Sequence, residues 1–321
     1  MTEKKTDELL HDYNDDGVDR RGFLSCMAWA GTGALFLMEG GVLKSYSLSK
    51  LPEGVATSAA QLSFVQISDS HMGFNKPANP DVVATLKTAV DKINALATPP
   101  EFLLHTGDIS HLSKPEEFDT VDQVLRGVSA RNVFFVPGEH DVLDDDGRQY
   151  LERYGKSAKG RGWYSFDQKG VHFIGLVNVM NLKAGGLGTL GDEQLGWLRD
   201  DVSHLTHSTP IVVFAHIPLW SVYPAWGWGT EDSGQALACL KKFGSVTVLN
   251  GHIHQTMQKV EGNVTFHTAA STAFPQPAPG AADSPGPMKV PAEQLKSILG
   301  ITDVTYVRGK HALAIVDSTL A

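Results

Sequence analysis

The chain has 321 residues, 42% of them hydrophobic and 20% charged, the ordinary balance of a soluble globular protein. Its formal net charge of −9, with no block of basic residues, argues against binding a nucleic-acid polymer through a basic face. Two cysteines, Cys26 and Cys239, are too few for a disulfide framework, and neither has metal-ligand spacing. Any metal site must therefore use histidines and carboxylates, a donor set that suits Mn, Fe or Zn.

Residues 1–60 differ in character from the rest. The run Asp19-Arg20-Arg21-Gly22-Phe23-Leu24 resembles a twin-arginine export signal. An Ala- and Gly-rich apolar stretch follows at 26–38, shorter than the roughly 20 residues of a spanning helix. The small residues at 56–60 offer a cleavage site. Acidic residues before Arg20, and Glu39 closing the apolar stretch, run against an export signal. The expectation is a signal peptide and linker at 1–60, then one domain at 61–321. The twin-arginine machinery is the expected export partner, the periplasm or exterior the destination, and stable membrane insertion is not expected. The alternatives are an uncleaved membrane tether and a cytosolic protein with a regulatory tail.

After residue 60, apolar β-branched runs alternate with amphipathic helices. Residues 62–67 predict a strand ending at Asp69. Asn79-Pro80 predicts a helix start, with a capping side chain and Pro at the first position, and Val83, Leu86, Val90 and Ile93 follow at helical spacing. Strands are predicted at 102–106 and 132–136, separated by a helix at 113–128 with Phe118, Val121 and Leu125 inward. A strand at 171–177, a helix at 191–205, and strands at 211–214 and 246–249 complete the alternation. Further strands are predicted at 263–267, 304–307 and 312–316, with a Pro- and Gly-rich surface loop at 275–291 and a short helix from Pro291. The alternation predicts an α/β layered fold, and the closing strands suggest that its sheet is mixed.

Five polar clusters recur at strand exits in a fixed order: Asp69-Ser70-His71, Gly107-Asp108, Gly138-Glu139-His140-Asp141, His216, and Gly251-His252-Ile253-His254. Strand-end loops hold polar groups in fixed geometry over a scaffold. Asp69 and His71 alternate about Ser70, so both can project the same way from an extended end, and His252 and His254 repeat the device. Gly107 permits a tight turn before Asp108. Two metals about 3.5–4 Å apart, bridged by a carboxylate and water, polarise a phosphoryl group and supply hydroxide. A single Asp-x-His or Gly-Asp is more often a cap or turn, and the remaining histidines His105, His111, His172, His267 and His311 are expected to be surface or satisfied residues. Five clusters in order, each at a strand exit, form a much stronger signal.

On these motifs, across residues 62–270, the chain resembles the calcineurin-like metallophosphoesterases, and 191–198 looks like that family's helix between its third and fourth motifs. The resemblance implies a four-layer α-β-β-α sandwich, two mixed sheets flanked by helices. It implies that Asp69, His71, Asp108 and His254 hold one metal. Asp108, as a bridge, would hold the second with Glu139, His216 and His252. His140 would be the non-ligand histidine that protonates the leaving alkoxide or stabilises phosphoryl charge, with Asp141 as its orienting partner. The implied function is a binuclear metal-dependent phosphoesterase acting on a small-molecule phosphate ester, more in the pattern of bacterial phosphodiesterases. The family normally has Asn where this chain has Glu139. That departure leaves three alternatives: altered metal preference, a Glu139 displaced from the metal, or a weakened relative that binds phosphate esters without hydrolysis. Purple acid phosphatases carry Tyr three residues after the bridging Asp; His111 stands there, so the iron–tyrosinate site is absent.

Two features near the motifs point toward substrate. Trp220, Tyr223, Trp226 and Trp228 crowd one loop after His216, and such rings either line a leaving-group pocket or cover the core. Asn75 and Lys76 either reach a phosphate or lie in a solvated loop.

Overall fold

A computed structural model describes residues 61–307 and 313–321, together with the backbone of an antiparallel ribbon formed by β1 (Ala34–Glu39) and β2 (Val42–Ser47). The Arg20-Arg21 motif, the 56–60 run and His311 lie outside the described residues.

Two mixed sheets form the centre. The five-stranded sheet runs β13 (Ala314–Thr319), β12 (Gly300–Val307), β3 (Gln61–Ile67), β4 (Phe102–His105), β5 (Asn132–Phe135). The three strands β3, β4 and β5 are parallel, and β12 pairs antiparallel with β3. The six-stranded sheet runs β10 (Met257–Glu261), β11 (Val264–Thr268), β9 (Val246–Asn250), β8 (Ile211–Phe214), β7 (Val171–Gly175), β6 (Tyr164–Gln168). Its four central strands are parallel, with an antiparallel strand at each edge.

Strand periodicity explains the layering, because successive side chains point to opposite faces. On β3, Leu62 and Phe64 face the other sheet, in a core with Phe102, Leu104, Phe173, Phe214 and Val304. The alternate residues Val65 and Ile67 face helices instead. These are α1 (Val82–Asn94), α2 (Pro115–Leu125), α3 (Arg148–Tyr154) and the short α6 (Ala292–Leu295), which supply Leu86, Phe118, Tyr150 and Leu295. The second sheet's outer face is covered by α4 (Asp192–Asp201) and α5 (Ser233–Leu240), through Leu195, Leu198, Ala236 and Leu240. The expected four layers are present.

Several local expectations change. Asn79 does not cap α1; Asp81 does, accepting a hydrogen bond from the Ala84 N–H at 2.9 Å. Asn79 lies in the preceding turn, where its Oδ1 accepts from the Asp81 N–H and its Nδ2 donates to the Ala273 carbonyl. The second helix starts at Pro115, because Ser113 is held at φ +56°. Strands β6 and β10 were not legible in the sequence. Both are edge strands with mostly half-exposed or exposed residues, so neither carries a strong apolar run.

Polar contacts also tie the layers together. His267 on β11 meets Asp317 on β13 at 2.9 Å, and the Thr302 hydroxyl donates to the same carboxylate. His172 lies between Asp167 and Asp201, each at 2.9 Å, and burial is outweighed by these partners, so its pKa is raised.

Phe173 is fully buried between the sheets, stacked on Phe166 at 4.9 Å and edge-on to Phe64 and Phe102 at 5.4 and 5.3 Å. Phe173→Ala should destabilise the fold by about 3–5 kcal/mol, read as a lower denaturation midpoint with an unchanged slope.

Candidate metal centre

The five motifs meet at one rim of the molecule, each just beyond the carboxyl end of a parallel strand. Asp69, Asp108 and Glu139 follow β3, β4 and β5; His216 and His252 follow β8 and β9. Carboxyl ends of parallel strands are the usual position for sites in open α/β sheets. Here two sheets supply one site. Backbone bonds lock the loops together: Asp69 N–H donates to the Gly107 carbonyl at 3.0 Å, His71 N–H to the Asp108 carbonyl at 2.8 Å, and Gly251 N–H to the His216 carbonyl at 3.0 Å.

The expectation that Asp69/His71 and His252/His254 project from extended ends is corrected. Asp69, His71, Asp108, His252 and His254 all have positive φ, from +40° to +71°. Left-handed backbone is uncommon for such residues and clusters at functional sites. The glycines explain how the loops approach so closely. A Cβ at Gly107 would lie 2.5 Å from His216 Nδ1. A Cβ at Gly138 would strike the Asp108 carboxylate, and one at Gly251 would strike the Ser68 hydroxyl.

Four overlapping groups of donors result: His140 joins His71 and His111 in one and Asp108 and Glu139 in another, and two groups leave it out. Asp69, His71, Asp108 and His254 form a fully buried set, and Glu139, His216 and His252 form a second, more open set; in each, ligand-capable atoms lie within 4.8 Å of one another. His71 Nε2 is 3.1 Å from His254 Nε2 and 3.3 Å from Asp108 Oδ2. His216 Nε2 is 3.4 Å from Asp108 Oδ2 and 3.0 Å from Glu139 Oε2, and His252 Nδ1 is 3.0 Å from Glu139 Oε1. Asp108 therefore touches both sets.

These residues fit a metal ion on an observation independent of family. Glu139 Oε2, His216 Nε2 and both ring nitrogens of His252 are buried without a well-aligned hydrogen-bond partner. Their short separations are misdirected for hydrogen bonds, so the lone pairs converge on shared points. Buried polar atoms without partners are costly, and a divalent cation would satisfy them.

The flanking residues divide into expected and unexpected. His140 Nδ1 donates to the His111 carbonyl at 2.7 Å. Asp141 is not its orienting partner. The Asp141 carboxylate, fully buried, accepts from the N–H groups of Ile109, Ser110 and Gly138 and from the Ser110 hydroxyl, at 2.7–3.1 Å. It pins the Asp108 loop to the Gly138 turn. His111, expected to be uninvolved, joins the cluster: its ring stacks on His140 at 4.9 Å, and its Nδ1 lies 3.4 Å from His71 Nδ1. Phe274 stacks on His71 at 4.8 Å and had no motif to announce it. Glu117, buried, accepts from the N–H groups of His111 and Leu112 at 3.1 and 2.7 Å. His105 Nε2 meets the Ser70 hydroxyl at 2.9 Å, His172 and His267 each meet an aspartate, and the Nδ1 atoms of His105 and His267 are buried without a hydrogen-bond partner.

Of the aromatic loop, Trp220 packs on Phe266 in the outer core and Trp228 is buried. Tyr223 and Trp226 are partly exposed and edge-on to each other at 5.1 Å. Asn75 and Lys76 are exposed, and the charge of Lys76 acts on His111.

Electrostatics follow from packing carboxylates among imidazoles. Burial alone would raise Asp69, but His254 and His216 bring it down to about 2. Burial likewise opposes ionisation of Glu139, yet His252 and His216 hold it well below the usual range. Burial would lower His216, and Asp108 with Glu139 instead raise it well above 6.5. Burial, His140 and Lys76 lower His111 to about 4. Burial and the Asp108 charge push Asp141 up to about 7, against its backbone donors.

The sign of the pH dependence follows. The raised His216 stabilises the metal-free fold fully below its ordinary 6.5, and that contribution is lost as pH rises through its folded value. Glu139 contributes above its ordinary 4.5, and that is lost as pH falls through its folded value. Ligation requires a neutral imidazole, so a cation must displace the His216 proton. Metal affinity of the Glu139 set should climb about tenfold per pH unit until His216 is neutral. Zinc titrations from mildly acid to mildly alkaline pH would measure this; a flat profile would exclude proton displacement from His216.

A family model described as calcineurin-like phosphoesterase matches residues 62–256. A probable glycerophosphodiester phosphodiesterase GpdQ of Arcobacter nitrofigilis is 23% identical over 64% of this chain and 77% of its own length. A glycerophosphodiester phosphodiesterase GpdQ of Enterobacter lignolyticus is 26% identical over 61% and 71%. A dimetal phosphatase from Danio rerio shares the fold with a TM-score of 0.60 at 15% identity, over 81% of this chain and 99% of its own. With five motifs at the strand ends of a four-layer sandwich, the chain belongs to the calcineurin-like phosphoesterase family.

Proposed function

We propose that this protein is a binuclear metal-dependent phosphoesterase that prefers phosphodiesters. The family and the donor cluster support a metal-dependent phosphoric ester hydrolase. The observation that carries the binuclear assignment is the convergence of seven side chains into two sets sharing Asp108. Diester preference is supported by two distant relatives that bear a glycerophosphodiester phosphodiesterase name.

In this proposal Asp69, His71, Asp108 and His254 hold one ion, and Asp108, Glu139, His216 and His252 hold the other. Bound there, the ions would supply Lewis acidity toward phosphoryl oxygens and a nucleophile at neutral pH. The protein's own groups do the rest. His140 is half-exposed at the rim, with Nδ1 fixed by the His111 carbonyl, so Nε2 is the nitrogen available to a substrate oxygen. Burial opposes its charging, but Asp108 and Glu139 raise its pKa, which suits a proton donor to a departing alkoxide. Asp141 is a positioning residue that fixes the loop carrying Asp108.

Glu139 reaches His216 and His252, which supports a ligand role over displacement. A family member that binds phosphate esters without hydrolysis is the second reading, and the extra anionic ligand is its motive. The arginine pair supports export by the twin-arginine route to the periplasm or exterior, with that machinery as partner. Among the described residues no helix is long and apolar enough to cross a membrane. Loss of the exported pool in an Arg20→Lys, Arg21→Lys double variant would test the route.

The decisive assay is hydrolysis of an aryl phosphodiester and its monoester with Mn, Fe, Zn or chelator. Metal-dependent turnover, faster on the diester, is expected; folded protein inert with every metal would favour the binding role. His252→Ala should lose one ion and most activity. His140→Ala should keep both ions yet lose about 10²–10⁴-fold in turnover, the range for a general acid. Glu139→Asn with unchanged metal content and turnover would remove Glu139 from the ligand set.

A further inference from the structure

Residue 111 occupies a place that its sequence position does not announce. His216 and His254 share one arrangement. Each turns Nε2 toward the cluster, and each donates its remote Nδ1–H to a backbone carbonyl, Thr106 for His216 at 2.7 Å and Phe274 for His254 at 2.5 Å. A carbonyl can only accept, so it fixes the proton on Nδ1 and leaves the Nε2 lone pair for a cation.

His71 turns Nε2 toward the cluster in the same way. Its remote Nδ1 meets no carbonyl among the described residues. It meets His111 Nδ1 at 3.4 Å. For His71 Nε2 to be a ligand, its proton must sit on Nδ1, and His111 Nδ1 must accept it. The His111 proton then sits on Nε2. The His111 ring is held for this task by stacking on His140 and by the edge of Phe74 at 5.2 Å. Its backbone N–H donates to Glu117 and to the Met72 carbonyl, and its own carbonyl accepts from His140 Nδ1.

We propose that His111 is a positioning residue that sets the tautomer and ring angle of His71 through an imidazole–imidazole hydrogen bond, the counterpart of the carbonyls behind His216 and His254, while its carbonyl sets His140. The proposal rests on the metal reading above. It gives one residue hold of both a ligand of the buried set and the proton donor. It also predicts an asymmetry: the buried set depends on the side chain at 111, and the Glu139 set does not.

The test uses the full-length chain, with Co(II) as the probe. His111→Phe keeps a ring to stack on His140 and removes the acceptor. His111→Asn restores an acceptor near the Nδ1 position. Metal-free melting temperatures serve as the fold control. The expected result is that His111→Phe weakens one of two Co(II) sites by about 10–100-fold, the range for loss of an outer-shell partner. The other site stays unchanged, the visible spectrum of the weakened site changes, and His111→Asn recovers much of both. Unchanged affinities and spectrum in His111→Phe would overturn the proposal. So would equal losses in the Phe and Asn variants, or equal losses at both sites. Wild-type chain that takes up no Co(II) would overturn the metal reading as well, a result distinct from two intact sites in His111→Phe.

Discussion

Asp108 is the point on which the site depends. One oxygen lies within 3.4 Å of imidazoles from both donor sets, and the other accepts the His140 N–H at 3.0 Å. Its carboxylate therefore joins the two sheets at the rim, since His71 follows β3 and His216 follows β8. Everything around it is arranged to keep it there. Asp141 clamps the Ile109 and Ser110 N–H groups to the Gly138 turn, and Gly138 lacks the Cβ that would displace the carboxylate. Close packing of unlike charges in a buried place makes each group's ionisation conditional on its neighbours. That is why Asp69 and Glu139 are held down, while Asp141 and His216 are held up, in the same few ångströms.

The sandwich makes such crowding tolerable. Its inter-sheet core is rich in aromatic rings, with Phe64, Phe102, Phe166 and Phe173 in mutual contact. Helices close both outer faces. A rigid frame of this kind can hold five non-glycine residues in left-handed backbone, an arrangement that costs of order 1–3 kcal/mol each. Of the eight non-glycine residues with positive φ among the described residues, five are these candidate ligands, and Ser113, Asp146 and Lys169 are the others, so left-handed backbone is concentrated in the loops that carry the ligands.

The site has two faces of different character. The set with Asp69 and His254 is buried beneath Phe74 and Phe274, whereas Glu139 and His252 keep some exposure. Glu139 brings to the second set a negative charge in place of the family's usual amide. Tyr223 and Trp226 remain partly exposed on the loop after His216, while Trp220 and Trp228 are committed to packing. A sequence run of four aromatic residues therefore divides, half serving the core and half the surface.

The sequence by itself determined the layered α/β class, most strands and helices, and the five polar clusters that contain the candidate ligands. Each of those signals is local: an apolar run of period 2 or 3.6, or a polar cluster at its end. It missed β6 and β10, because edge strands expose one side and carry weak patterns. It misplaced the cap of α1 and the partner of Asp141, because a hydrogen bond depends on where a loop turns. Only the tertiary structure decided that Asp69 and His71 converge through left-handed backbone instead of an extended end. Only it placed His111, Glu117 and Phe274 behind the ligands. Their roles come from residues distant in the chain meeting at one rim, and no local pattern encodes that meeting.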